Sequence, residues 1–192
     1  MNAPSKSNTE AGAALYSPAF LRFYDRLVPG LFLPYAWSLL TLVDLNPSCL
    51  DAASARVRKA HLHLNCTTVH ADFLAPDSLS PSSLGTFDAI SAMLLLHCLP
   101  GPPSRKAVAL VRLRHILRKE NGVLFGATIL GQGIRHNLFG RFLMWLFNRR
   151  GIFDNREDHA KSFVEPLEEA FDEVKWRIVG AMLLFEARGP RE

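Results

Sequence analysis

An α/β domain built on a mainly parallel sheet is the fold class the sequence predicts, and three observations predict it. Short apolar runs, LLTLVDL at residues 39–45, CTTVHADF at 66–73 and GVLFGATIL at 122–130, alternate with segments whose apolar residues recur at helical spacing. The first and last of these runs are nearly continuous, as strands covered on both faces require. Strict alternation appears only near the end, where Val174, Trp176 and Ile178 precede Gly180-Ala181 and MLLFEAR. That is the pattern of a C-terminal antiparallel hairpin.

The chain has 192 residues, 48% of them apolar, enough for one domain with a sizeable core. Residues 1–17 read as a disordered tail and residues 18–192 as a single domain. Cys49, Cys66 and Cys98 are scattered without disulfide or metal-ligand spacing, which fits a reducing cytosol, so a cytoplasmic location and no metal are expected. The first twenty residues contain no continuous apolar stretch of a secretory signal. AISAMLLLHCLP, the longest apolar run, is too short to span a bilayer. A net charge of +4 is a mild bias that points to no particular partner.

The elements follow in order. SPAFLRFYDRLVPGLFLPYAW places Phe20, Phe23, Tyr24, Leu27 and Val28 on one helical face and stops at Pro29-Gly30. Residues 39–45 form a strand, after which Asn46 as N-cap and Pro47 at the first helical position open a helix with Leu50, Ala53 and Val57 inward. CTTVHADF is a short strand ending at Asp72, and TFDAISAMLLLHCL holds a strand of about six residues with an apolar extension. A helix over residues 104–118 puts Ala109, Leu110, Leu113, Ile116 and Leu117 on one stripe, and Asn121-Gly122 ends it. The next strand is GVLFGATIL. IRHNLFGRFLMWLFNRRG is helical and unusually aromatic, and a last helix around residues 166–171 leads into the hairpin.

In an open α/β sheet, ligands sit beyond the carboxyl ends of the strands. The tips here are Asp44 with Leu45, Asp72 with Phe73, Leu95 to His97, and Thr128 onward. Asp44 can accept two hydrogen bonds from a ribose diol. Asp72 can accept one from an exocyclic amine, with Phe73 beside the base. The plainer reading has both acids cap the helix or loop that follows. Two of them one strand unit apart favour a nucleoside site.

LTLVDLNPSCLDAASARV, TVHADFLAP, TFDAISAMLLLHCLPGP, ILRKENGVLFGATIL and GQGIRHNLFGRFLMWLFNRRGIFDN occur in the order of class I S-adenosylmethionine-dependent methyltransferases acting on small molecules. The chain resembles in particular a microbial group with an LLHCLPGP-like segment after the fourth strand. The likeness implies a Rossmann-like methyltransferase sheet with S-adenosyl-L-methionine as cofactor. It assigns Asp44 and Leu45 to the ribose, Asp72 and Phe73 to the adenine, and Leu95 to His97 to the methyl-transfer face. It further implies an apolar small-molecule acceptor, a place in secondary metabolism, and an acceptor lid over residues 131–160 that includes Phe142 and Trp145. A homodimer is compatible with it; a nucleic-acid partner and a membrane span are not expected.

One part of the family pattern is absent. The first strand should carry a GxGxG-like loop whose backbone approaches the methionine part of the cofactor, followed by a helix. Here PYAW reaches the next strand through Ser38, Leu39 and Leu40. A strand, a glycine loop and a helix need roughly thirty residues. They cannot fit, so the fold is expected to be truncated at its first βα unit. Since that strand belongs between strands two and four, its loss leaves edges whose backbone groups need new partners. The alternative reading of function follows: a non-catalytic relative, serving as a pseudoenzyme, a partner or binding module, or the product of a truncated gene. Gly131-Gln132-Gly133, the only GxG, follows the fifth family strand and reads as a hinge below the lid.

The remaining candidates have bland counterparts. His97 has a suitable unperturbed pKa for a general base (about 6.5), although a histidine in an apolar stretch is commonly a core residue. Arg105, Lys106, Arg112, Arg114, Arg118 and Lys119 read as a solvated basic face rather than a nucleic-acid patch. FGRFLMWLFNRRG suits an acceptor lid, core packing or a membrane surface. Asp154, Glu157, Asp158 and His159 read as an exposed acidic turn.

Overall fold

The computed structural model describes residues 39–61 and 64–192. The expected tail and the helix around Phe20 to Val28 lie outside the described residues. The chain divides into two compact units, Met1–Phe73 and Leu74–Glu192.

In the first unit, β1 (Leu39–Asp44), α1 (Pro47–Ala60) and β2 (Asn65–His70) make one parallel βαβ crossover. The register runs from Leu39 opposite Asn65 to Asp44 opposite His70. Asn46 caps α1 as its sequence demands, its side chain accepting the Ser48 N–H at 2.9 Å, and Pro47 takes the first helical position, where no N–H is needed. Leu50 and Ser54 are buried, Ala53 and Val57 half-buried, and α1 packs on both strands. The expectation of a strand covered on both faces fails for β1: Leu39 and Val43, alternate residues on one face, are 56% and 39% exposed.

The second unit holds a four-stranded sheet in the order β3-β4-β6-β5, with β3 (Ala89–Met93), β4 (Val123–Ile129), β5 (Phe171–Val179) and β6 (Met182–Pro190). β3 and β4 are parallel; β6 runs antiparallel to β4 and β5. The expected hairpin is present, turning at Gly180 with φ 60°, a conformation glycine adopts without steric cost. The helices are the single turn α2 (Pro81–Leu84), α3 (Pro103–Arg112), α4 (Leu138–Arg149) and α5 (Ala160–Ala170). The stripe read from the sequence (Ala109, Leu110, Leu113, Ile116, Leu117) is buried throughout. Leu110 of α3, Leu124 of β4, Phe163 and Leu167 of α5 and Leu183 of β6 are fully enclosed. Each such side chain contributes about 1.5–3 kcal/mol relative to leaving it in water.

Three boundaries differ from expectation, each for a local reason. The helix expected over 104–118 becomes 3₁₀ at Leu113–Ile116, and Leu117 then bridges Phe87. Asn121-Gly122 therefore serves the turn into β4, with the Gly122 N–H donating to the Arg118 carbonyl. The last helix starts at Ala160, not near Pro166, because His159 caps it by accepting the Ser162 N–H at Nδ1, 3.0 Å away. Pro166 lies inside that helix.

Among the described residues, β1 and β3 lie in different sheets. The strand that the family pattern puts between them has no counterpart there.

Candidate functional site

Parallel pairing brings the two acids to one edge. Asp44 is the last residue of β1, opposite His70 at the end of β2, and Asp72 lies two residues further on. The ladder runs one step past the strand, the Ala71 N–H donating to the Asp44 carbonyl at 3.1 Å, so the two strand exits stay side by side. His70 Nε2 lies 2.8 Å from the Leu45 carbonyl and holds the turn after β1. The Asp44 carboxylate is exposed, and its Oδ1 accepts the Asn46 N–H at 2.7 Å. That bond is the capping role of the plainer reading. It uses one of about four lone-pair sites on a carboxylate, so capping and a diol contact are compatible. Leu45 is 43% exposed beside it, and Asp72 and Phe73 are half-buried.

In the second unit, β3 ends abruptly. Leu94 takes φ 56°, while its N–H donates to the Ala127 carbonyl at 2.7 Å. A left-handed leucine costs on the order of 1–3 kcal/mol and is characteristic of functional turns. It redirects the chain into a 3₁₀ turn, Leu96–Cys98, that tucks Leu96 and His97 inside and leaves Leu95 half-buried. His97 is 1% exposed. Its ring meets Phe153 edge-on at 4.6 Å, and Nδ1 accepts the Ile129 N–H at 3.4 Å. Burial, assisted by the positive charge of Lys106, lowers its pKa to about 3. An imidazole so enclosed rests neutral at pH 7 and is a weak base. Burial likewise pushes the Cys98 thiol up to about 12, leaving it protonated and unreactive.

The state of His97 sets a pH dependence. The unfolded chain binds a proton near pH 6.5, whereas the folded chain does so only near 3. Folding therefore loses about 1.4 kcal/mol per pH unit as pH falls through that window. Urea unfolding at pH 7 and pH 4.5 is expected to show a loss of about 2–3 kcal/mol that His97→Gln does not show. Equal losses in both proteins would assign the acid sensitivity elsewhere.

The largest departure from the sequence reading is Lys106. Taken as part of a solvated basic face, it is fully buried. Its ammonium donates to both Asp158 carboxylate oxygens at 2.9 Å and to the Asp154 carbonyl. Asp158 is 1% exposed, so the acidic turn is not all surface either. Burial raises the Asp158 carboxyl above its usual range, and the Lys106 hydrogen bond and charge act the other way. The signal was in the spacing: Lys106 stands three, four and seven residues before Ala109, Leu110 and Leu113, on the buried stripe.

Residues 154–158 bind the exits of β3 and β4 together. The Asp154 N–H donates to the His97 carbonyl at 2.9 Å, its carboxylate accepts the Gly101 N–H at 2.8 Å, and Asn155 Nδ2 donates to the Ile129 carbonyl at 2.8 Å. Gly131 and Gln132 both donate to the Asp158 carbonyl at 3.0 Å. A side chain at Gly131 would collide with the Asn155 carbonyl. That glycine is a close approach of two backbones, not the free hinge expected from sequence. Phe142 and Trp145 lie on α4, each 53% exposed. Leu143, Met144 and Phe147 form its half-buried face.

No family model matches the chain. Among curated proteins it is 45% identical to methyltransferase verB of Penicillium polonicum over 176 residues, 91% of this chain and 75% of that protein. It is 31% identical to a physcion biosynthesis cluster O-methyltransferase of Aspergillus chevalieri, covering 98% of this chain and 99% of the relative. That second alignment runs over 228 positions, 36 more than the 192 residues present here. A solved structure of PigF with SAH shares the fold at a TM-score of 0.56 and 14% identity, covering 88% of this chain and 47% of the other.

Proposed function

The chain belongs to the S-adenosylmethionine-dependent methyltransferases that act on small molecules in secondary-metabolite biosynthesis, and from that premise we propose that it keeps the nucleoside half of the cofactor site and has lost the methionine half. The observation that carries this reading is the common edge of Asp44 and Asp72, fixed by the β1–β2 register. Asp44 with Leu45 takes the ribose, and Asp72 with Phe73 takes the adenine. In the second unit half-buried Leu95 serves the methyl-transfer face, and Leu96 and His97, both enclosed, hold the turn on which it stands.

When bound, S-adenosyl-L-methionine supplies an electrophilic methyl group on a sulfonium. The transfer needs an acceptor atom in line with it, so positioning contributes most of the rate. This chain's residues hold the nucleoside and shape the acceptor side. The backbone donors for the amino-acid end are what the missing βα unit would have provided. The alignment with the second relative is 36 positions longer than this chain, room enough for such a unit. The non-catalytic alternative rests on the same loss.

The test is selectivity. With the nucleoside contacts kept and the amino-acid contacts gone, adenosine and S-adenosylhomocysteine should bind within about threefold of each other, since half a kcal/mol or less separates them. Asp44→Ala should weaken both alike by about tenfold or more, the loss of one or two hydrogen bonds to a charged group. A strong preference for S-adenosylhomocysteine would contradict the proposal.

The lid reading of residues 131–160 makes α4 the cover of an apolar acceptor. Because Phe142 and Trp145 are half exposed, changing both to Ala should cost under about 1.5 kcal/mol of stability in urea unfolding, against about 3–5 for each fully buried aromatic. A larger cooperative loss would make them core residues.

A further inference from the structure

We propose that α4 lies on an anionic phospholipid surface, its outer face in the interface and its inner face on the domain. The reading goes beyond methyl transfer and does not depend on it. The helix is apolar on both sides. Leu143, Met144 and Phe147 are half-buried, and Leu138, Phe139, Phe142 and Trp145 on the other side are 83%, 69%, 53% and 53% exposed. Large apolar side chains on the outer face as well as the inner one call for a second apolar partner. The outer aromatics form a joined patch, with Phe142 and Trp145 rings 6.1 Å apart and the Arg149 guanidinium 5.5 Å from the Trp145 ring centre.

Charge selects the partner. From Gln132 to Phe153 the chain carries Arg135, Arg141, Arg149 and Arg150 and not one Asp or Glu. All four arginines are exposed. Tryptophan, phenylalanine and leucine flanked by arginine, without acids, is the composition of a helix lying in the plane of a membrane interface. Among the described residues no helix is long and apolar enough to cross a membrane, and α4 has twelve residues. It would lie on the surface, where an apolar acceptor dissolves.

Flotation of the full chain with vesicles tests this. Phosphatidylcholine vesicles containing phosphatidylserine should carry the protein, and pure phosphatidylcholine vesicles should carry it about tenfold less. Phe142→Ser with Trp145→Ser, and separately Arg141→Gln with Arg149→Gln, should each reduce binding to the mixed vesicles by about tenfold or more. A second readout needs no change in α4. In a Trp37→Phe/Trp176→Phe background, Trp145 emission should shift to the blue on mixed vesicles alone. Equal binding to both vesicle types, no binding, or binding indifferent to the α4 variants would overturn the proposal. So would a concentration-dependent doubling of mass that Phe142→Ser/Trp145→Ser abolishes, which would give the patch to a second copy of the chain.

Discussion

Inserting the missing strand, glycine loop and helix is expected to raise affinity for S-adenosylmethionine at least about a hundredfold. The segment would come from a methyltransferase that carries the GxGxG loop and be placed between Trp37 and Thr41. Charge-assisted hydrogen bonds from a glycine loop and helix terminus contribute roughly 1.5–3 kcal/mol each, and two or three of them make about 3–9 kcal/mol. At about 1.4 kcal/mol per tenfold, the chain as it stands should bind S-adenosylmethionine at millimolar or weaker. The grafted chain should reach the micromolar range. Methyl transfer should recover further still, since misplacement of about 1 Å can cost a hundredfold in rate. Calorimetric titration of both chains measures it. Grafting the same segment with its loop glycines changed to valine serves as control and should bind like the parent. Micromolar binding by the ungrafted chain, lost in Asp44→Ala, would mean that another segment already replaces the loop. Genomic sequence between the codons for Trp37 and Thr41 would then show whether an intron hides the unit or the gene has lost it.

The two halves of the candidate site were not equally legible. The strand tip at Asp44, the cap at Asn46 and the proline at position 47 obey local rules, and the structure follows them residue for residue. The C-terminal hairpin was equally plain because its alternation and its glycine turn act within about twenty residues of each other. Hidden from local reading were contacts between distant segments. Lys106 meets Asp158 across fifty-two positions, and Gly131 meets Asn155 across a whole helix. Helical spacing marks Lys106 as inward but does not name its partner. His159 was missed as a helix start because histidine is not among the common capping residues. Proline at 166 was misread as a helix opener by the rule that placed Pro47 correctly. Exposure of Leu39 and Val43 has a different origin. Apolar patterning reports what a strand needs on its faces, and among the described residues of the first unit only α1 covers one.

Replacing Lys106 with Met is expected to be the most damaging single change in the second unit, costing about 3–5 kcal/mol. The ammonium is fully enclosed, and its donors go to both Asp158 oxygens and the Asp154 carbonyl. Removing it leaves a buried carboxylate with no counter-charge. The pair as a whole is worth far less than that loss suggests, because taking both ions out of water consumes most of their attraction. Lys106→Met with Asp158→Leu should therefore recover most of the stability, to within about 2 kcal/mol of the parent. The pH dependence separates this from simple loss of packing. Burial already raises the Asp158 carboxyl in the folded chain. A raised carboxyl pKa means stability present at low pH and lost as pH rises through the folded value, since the unfolded chain gives up the proton first. Without Lys106 the rise is greater, so the single variant should lie closest to the parent in mildly acidic buffer and fall further behind toward pH 8. His97 also feels the Lys106 charge, so all four proteins are compared in a His97→Gln background, which removes its titration. Urea midpoints of the parent, both single variants and the double variant at pH 5 and pH 8 complete the cycle. A deficit that stays constant with pH, or a double variant no better than Lys106→Met, would show that the lysine acts through its hydrocarbon stem and the Asp154 carbonyl, and not through its charge.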